Sequence, residues 1–131
     1  GPTQWSRGFV HVDELAPMSP TKGHFSANLY LKLPSEGGHL ELWPLQFESR
    51  WEFYTNAHTL SKLVSIDEGA QRELRARLPP PIVLEVAPGD LVLLSVQRPH
   101  AVQGWASEDS RASLQSFVNF AGDDAALTLE A

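Results

Sequence analysis

The stretch GFVHVDEL, residues 8–15, combines the alternation of a β-strand with two side chains that bind metals. Because successive side chains of a strand point to opposite faces, His11 and Asp13 project from one face. Val10 and Val12 project from the other face. An imidazole and a carboxylate side by side are two of the ligand types that metals use in proteins, so this strand is a candidate source of metal ligands.

Four later stretches predict a protein built mainly from strands: three show the same two-residue period, and the other consists of two apolar runs broken by a turn. They are FSANLYLKLP (25–34), SEGGHLELW (35–43), IVLEVAPGDLVLLSV (82–96) and RASLQSFVNF (111–120). Gly37-Gly38 predicts a turn that pairs the first two stretches as a hairpin. Pro88-Gly89-Asp90 predicts a tight turn that pairs the two halves of the third. Many short strands of this kind favour an all-β sandwich or jelly roll.

The region between the two strand groups, residues 44–80, has a different pattern and is interpreted as an insert. Apolar side chains recur near helical spacing in LSKLVSIDEGAQRELRARL (60–78), which predicts one amphipathic helix that ends before three consecutive prolines. The aromatic stretch before it, FESRWEFYTNAH (47–58), fits either a strand or a lid loop. The acidic tail AGDDAALTLEA (121–131) is expected to fray.

Composition narrows the classes of function. The chain has 131 residues, 42% of them hydrophobic, which suits one soluble domain over 3–131 with core segments 8–43 and 81–120. A net charge of -6 without a basic stripe argues against nucleic acid as a partner. No stretch is long and apolar enough to span a membrane, so a cytoplasmic location is expected. Gly1-Pro2 has the composition of a cleaved-tag scar.

The chain has no cysteine, so a metal site would be built from imidazole and carboxylate. His100 ends a predicted strand after a tight turn and is the best candidate to join His11 and Asp13. Two histidines and one carboxylate form the facial triad of non-haem iron enzymes, and zinc hydrolases use the same ligand types. The other three histidines are interpreted as ordinary surface or core residues: His24, His39 and His58.

Arg111 and Ser113 lie two residues apart on the last predicted strand, shortly after His100 in the sequence. A guanidinium can bind a carboxylate through two parallel hydrogen bonds, and a neighbouring hydroxyl can add a third. This pair is therefore a candidate anchor for a dicarboxylic cosubstrate.

The motifs together resemble the Fe(II)/2-oxoglutarate-dependent oxygenases, particularly the prolyl-hydroxylase-like branch. The resemblance covers most of residues 8–120 and leaves out 44–80. The combination of His-x-Asp, a distant His and Arg-x-Ser carries it, and the two glycine-containing turns support it. The motifs are His11-x-Asp13, NLYL (28–31), EGGHLELW (36–43), APGDLVLLSVQRPHAV (87–102) and Arg111-x-Ser113.

The resemblance implies a double-stranded β-helix, or jelly roll, with one inserted helix. It implies Fe(II) as the metal, 2-oxoglutarate and O2 as cosubstrates, and hydroxylation of an amino acid, a peptidyl residue or a small natural product. The implied metal ligands are His11, Asp13 and His100. The implied 2-oxoglutarate contacts are Arg111, Ser113 and Tyr30. Candidate substrate contacts are Trp51, Tyr54, Gln103 and Trp105.

Family members carry a longer stretch before the His-x-Asp pair than the ten residues present here, so the N-terminal part is interpreted as truncated. An open strand edge invites pairing, which predicts a homo-oligomer or a complementing N-terminal segment as a partner. Two other classes of function stay open. One is a non-catalytic jelly-roll binding module. The other is a cupin-like metal enzyme that does not use 2-oxoglutarate and in which Arg111 is structural.

Overall fold

The computed structural model describes residues 8–14, 23–46 and 49–130, so the tag-like residues 1–2 lie outside it. The strands are β1 (Gly23–Lys32), β2 (Leu40–Leu42), β3 (Ile82–Leu84), β4 (Leu91–Ser95), β5 (His100–Val102), β6 (Ala112–Phe120) and β7 (Thr128–Glu130). The helices are α1 (Arg50–Thr55), α2 (Ala57–Leu60), a one-turn 3-10 helix (Ser61–Val64) and α3 (Glu68–Arg77). Within these described ranges, no helix is long and apolar enough to cross a bilayer.

The strands form two antiparallel sheets, which confirms the prediction of a mainly β protein. The large sheet has the strand order β4-β1-β6-β7, and the small sheet has the order β3-β2-β5. The stretch 8–14 continues the small sheet beyond β5, because His11 and His100 exchange two backbone hydrogen bonds of 2.9 Å each.

Both predicted hairpins are wrong, because each turn carries the chain from one sheet to the other. β1 pairs with β4 and β6, whereas β2 pairs with β3 and β5. At the second turn, the Gly89 N–H donates to the Tyr30 carbonyl and the Tyr30 N–H donates to the Asp90 carbonyl, at 2.8 and 2.9 Å. The turn therefore aligns β4 beside β1, a partner distant in sequence.

The described part of the insert is mainly helical, but it forms four short helices rather than one. The extended backbone at Ser65 and Asp67 separates the 3-10 helix from α3, and the Asp67 carboxylate caps α3 by accepting from the Ala70 N–H at 2.8 Å. The aromatic stretch is predicted as strand or lid loop, but its described residues, 49–58, form α1 and the start of α2. The tail, which the sequence predicts to fray, contains strand β7, and β7 pairs with β6.

The core lies between the helices and the outer face of the small sheet. Val10 and Ala101 are fully buried on this face, and Trp43 is nearly so. The Trp43 indole N–H donates to the Pro79 carbonyl at 2.7 Å, so the largest core side chain has its polar atom satisfied. The buried cluster consists of Val10, Val12, Trp43, Leu60, Leu63, Leu74 and Ala101.

The large sheet buries the face that carries Ser26 and Tyr30 of β1 and Leu94 of β4. Ser26 and Tyr30 are almost completely buried on one side of β1. The alternation of a half-buried strand is therefore confirmed, but the leucines lie on the exposed side. These exposed side chains are Leu31, Leu91, Leu93, Leu114 and Leu129. The layers are thus helices, small sheet, interior and large sheet, with the histidines of the small sheet on its interior face.

Candidate metal centre

His11 and His100 are brought together by strand pairing. Directly opposed residues of a hydrogen-bonded antiparallel pair project their side chains to the same face, and these two imidazoles have ring centroids 4.3 Å apart. The close approach depends on Gly8, since a Cβ there would overlap the Val102 carbonyl oxygen of β5. Residues 89 positions apart in sequence, 11 and 100, therefore form one side of the site.

Each imidazole is oriented by a hydrogen bond to its own strand. The His11 Nδ1–H donates to the Phe9 carbonyl at 3.1 Å, and the His100 Nδ1–H donates to the Arg98 carbonyl at 2.9 Å. With hydrogen on Nδ1, a neutral imidazole has a free electron pair at Nε2, which is the arrangement typical of metal-binding histidines. Burial lowers the pKa of His100, which favours its neutral form.

Asp13 completes the cluster two residues along the strand from His11. Its Oδ1 lies 3.9 Å from the Nε2 atom of His11 and 3.9 Å from the Nε2 atom of His100. The side chains of Asp13 and His100 are only 12% and 8% exposed. The other carboxylate oxygen, Oδ2, is buried and has no hydrogen-bond partner among the described residues.

The Nε2 atoms of the two histidines and the Asp13 carboxylate lie close to one another. One donor atom from each lies within 4.8 Å of the other two. Around the buried His100 ring and the buried, unpartnered Asp13 Oδ2 atom, such a group of acceptors is electrostatically unfavourable unless a cation or a proton lies among them. Imidazole and carboxylate ligands lie about 2.0–2.2 Å from a transition metal, so the donors would close by about 1 Å around an ion. The residues therefore fit a divalent metal.

Helix α3 holds the other edge of the strand that supplies two of these ligands. Gln71 is buried, and its carboxamide accepts from the Val10 N–H at 2.7 Å and donates to the Val10 carbonyl at 2.9 Å. Arg75 donates to the Gly8 carbonyl at 2.6 Å and pairs with Glu41 at 2.8 Å. The strand edge at Gly8 and Val10 is thus satisfied within the chain, and oligomerisation through this edge stays a prediction.

The three predicted cosubstrate residues lie together at one end of the large sheet. Tyr30 and Ser113 are direct cross-strand partners, and the Arg111 guanidinium carbon lies 5.1 Å from the centre of the Tyr30 ring. The Arg111 Nε–H also donates to the carbonyl of Gly38 at 3.2 Å. Burial raises the pKa of Tyr30, although the neighbouring Arg111 opposes the rise, so the phenol keeps its proton at neutral pH.

No protein-family model matches the chain, and no curated protein matches it.

The predicted substrate residues are not gathered around the metal cluster by any described contact. Trp51 and Tyr54 are largely exposed on α1, which packs against α2. The Trp105 indole N–H donates to the Asp109 carbonyl at 2.9 Å, which holds its ring within the loop after β5. The Gln103 N–H donates to the His39 carbonyl at 2.9 Å. Their role in binding a substrate stays a prediction.

Sequence reasoning missed two supporting residues, Gln71 and His24. A glutamine on the apolar side of an amphipathic helix is an uncommon core residue, and this position was the available signal for Gln71. His24 shares a face of β1 with Ser26 and Tyr30, so the same alternation that defines the strand places it on the buried side. Its Nδ1 atom lies 2.7 Å from the Glu14 carboxylate.

Proposed function

We propose that this chain is an Fe(II)- and 2-oxoglutarate-dependent dioxygenase that hydroxylates an amino acid, a peptidyl residue or a small natural product. The observation that carries the proposal is the cluster of His11, Asp13 and His100, whose three donor atoms lie within 4.8 Å of one another with both Nδ1 atoms already hydrogen-bonded. Two imidazoles and one carboxylate match the ligand set of non-haem Fe(II) oxygenases.

The strand order supports a double-stranded β-helix. Most successive strands lie in opposite sheets, as in a jelly roll: 8–14 lies with the small sheet, β1 with the large, β2 and β3 with the small, β4 with the large, β5 with the small, and β6 and β7 with the large. With residues 8–14 included, each sheet has four members. The metal ligands come from the first and the sixth strand of this series.

The chain's own residues have separable roles in this proposal. His11, Asp13 and His100 hold the metal on one side and leave its other positions open for ligands. Arg111 supplies a fixed positive charge, and Ser113 and the protonated Tyr30 supply hydroxyl groups beside it, a combination suited to the distal carboxylate of 2-oxoglutarate. When bound, Fe(II) and 2-oxoglutarate would supply the oxidising chemistry, consuming O2 and releasing succinate and CO2.

The test is to add Fe(II) and 2-oxoglutarate to the protein without oxygen and record the visible spectrum. The proposal predicts a charge-transfer band that is lost in His100→Ala and weakened in Arg111→Ala. The matched control is Arg72→Ala, which removes an exposed arginine of α3 whose partner is Glu68 at 3.7 Å, and which should leave the band unchanged.

A second candidate, a cupin-like metal enzyme that does not use 2-oxoglutarate, is favoured by one observation. Arg111 already has structural partners in the Gly38 carbonyl and the Tyr30 ring. The same spectrum separates the two: metal binding without the band supports this second candidate. Absence of metal binding supports a non-catalytic binding module.

A further inference from the structure

We propose that Glu14 and His24 form a positioning pair that fixes the backbone at Asp13, so that the Asp13 carboxylate faces the two imidazoles. The functional meaning of the pair rests on the metal centre proposed above. Its effect on Asp13, however, is measurable in the metal-free protein.

The three proposed ligands are not held equally. His11 and His100 fix each other through a pair of backbone hydrogen bonds, and each ring is further held through Nδ1. Asp13 has one backbone hydrogen bond, from its N–H to the Val96 carbonyl at 2.9 Å, and its Oδ2 has no described partner. The carboxylate therefore depends on neighbouring residues for its position.

Val96 is the point at which this backbone reaches the large sheet. Its carbonyl accepts from both Asp13 and Glu14, at 2.9 and 3.1 Å, and its own N–H donates to the His24 carbonyl at 3.2 Å. Val96 is fully buried, so these bonds are shielded from water. Residues 13–14 and the start of β1 are therefore joined through a single buried residue.

The side chains of Glu14 and His24 make a second connection across the same junction. The His24 Nδ1 atom lies 2.7 Å from the Glu14 Oε2 atom, and the ring lies beside Phe117 with centroids 5.5 Å apart. Because the Glu14 carboxylate accepts hydrogen bonds, the hydrogen-bonded form of the ring carries its hydrogen on Nδ1, while His24 Nε2 is buried without a partner among the described residues. That form donates to Glu14 and ties residue 14 to β1.

A contact of this kind acts on the metal through its ligand. Partners that orient a metal ligand without touching the metal are worth about 10- to 100-fold in metal affinity. The backbone bonds of residues 13–14 converge on the one carbonyl of Val96, and the side-chain bond adds a second point at which this segment is attached to β1. The pair is consequently a positioning device, and neither residue is assigned contact with the metal.

The first measurement is amide hydrogen exchange of the full, metal-free chain. His24→Ala and Glu14→Ala should each speed exchange at the Asp13 amide by roughly tenfold, the effect of one hydrogen bond. The His11 amide, which donates to the His100 carbonyl, should be unchanged and serves as the internal control. Unchanged exchange at Asp13 in both variants overturns the proposal.

The second measurement is Co(II) affinity, with two variants that differ only in where an amide group lies. In His24→Asn the side-chain NH2 reaches the place of Nδ1 and can still donate to Glu14. In His24→Gln it reaches the place of Nε2 and cannot. We expect near wild-type affinity for the first and a loss of about 10- to 100-fold for the second. Equal affinities in the two variants overturn the proposal.

Two further variants keep the result interpretable. Glu14→Gln retains an acceptor for Nδ1–H and should behave like wild type, which tests the same bond from its other end if His24 variants fail to fold. Arg72→Ala removes a different and exposed ion pair, with Glu68 at 3.7 Å, and should change neither measurement. If wild type binds no Co(II) but exchange at Asp13 responds as expected, the positioning pair stands and the proposed oxygenase falls.

Discussion

The small sheet is covered on its outer face by helices, whereas the large sheet leaves a leucine-rich outer face exposed. In the small sheet Val10, Trp43 and Ala101 pack against the helical insert, and the candidate metal ligands lie on the opposite face. In the large sheet Ser26 and Tyr30 face the interior. Alternation along a strand thus tells which residues share a face, but the layer that covers the sheet determines which face is buried.

The largest difference between the sheets should be in stability, tested with the same substitution in both layers. Leu74 of α3 is 1% exposed against the small sheet, and Leu93 of the large sheet is 61% exposed. Leu74→Ala should lower the free energy of unfolding by about 2–5 kcal/mol because it leaves a cavity. Leu93→Ala should change it by less than about 0.5 kcal/mol. Urea denaturation measures both, and equal losses would contradict the layer arrangement.

A second test separates metal binding, which is assigned to the small sheet, from 2-oxoglutarate binding, which is assigned to the large sheet. Arg111→Ala should weaken 2-oxoglutarate binding to the metal-loaded protein by about 1.5–3 kcal/mol, the value of a hydrogen bond to a charged group, and leave metal affinity unchanged. Arg111→Lys should recover part of the binding because it keeps the charge but loses the two-pronged geometry. Anaerobic titration measures both affinities. A loss of metal affinity in Arg111→Ala would show that the two sites are not separable.

Two glutamines test how much each sheet depends on a hydrogen bond from a glutamine side chain. Gln71 is buried and satisfies both backbone groups of Val10, so Gln71→Ala should cost about 1–3 kcal/mol through unsatisfied buried groups. Gln115 is exposed on β6 and donates to the Ser26 hydroxyl at 3.2 Å, so Gln115→Ala should cost less. Thermal unfolding of the two variants gives the comparison. An equal or larger cost for Gln115 would mean that α3 does not hold the strand.

The smallest effect should be the pH dependence that His100 imposes on the metal-free protein. Burial lowers the pKa of folded His100 below the ordinary value of about 6.5, so the unfolded chain binds the proton more readily. Stability is then full above about pH 6.5 and falls as the pH decreases, by at most about 1.4 kcal/mol per unit. The variant His100→Gln should have a shallower dependence in Tm measured from pH 7.5 to 5. Parallel curves for the two proteins would contradict the burial effect.

The mainly β character and the strands of residues 25–34 and 111–120 follow from two-residue periodicity, which a sheet imposes wherever the strand pairs. Strand partners could not be predicted in the same way, because Gly37-Gly38 and Pro88-Gly89 permit a turn in any topology. The break in the helix at Ser65 could not be predicted from periodicity, because it arises where the Asp67 side chain caps the start of a new helix, α3. The local sequence pattern therefore predicts the strands, whereas their arrangement depends on pairing between residues that are distant in sequence.

The candidate site was more predictable than the pairing. His11 and Asp13 share a face through local alternation, and His100 was chosen from its position at a strand end; the structure brings the three together. The supporting contacts of Gln71 and His24 were not predictable, because each joins segments whose relative placement depends on the complete fold.

The most direct test of the central claim is the binding of one divalent metal by calorimetry, with Co(II) as the probe, for wild type and for the single variants His11→Ala, Asp13→Ala and His100→Ala. Wild type should bind one ion per chain, and each variant should lose at least about 100-fold in affinity because one ligand is removed. His58→Ala, which removes an exposed histidine of α2, is the matched control and should bind as wild type does. Failure of wild type to bind, or unchanged affinity in His100→Ala, would contradict a metal centre at these three residues.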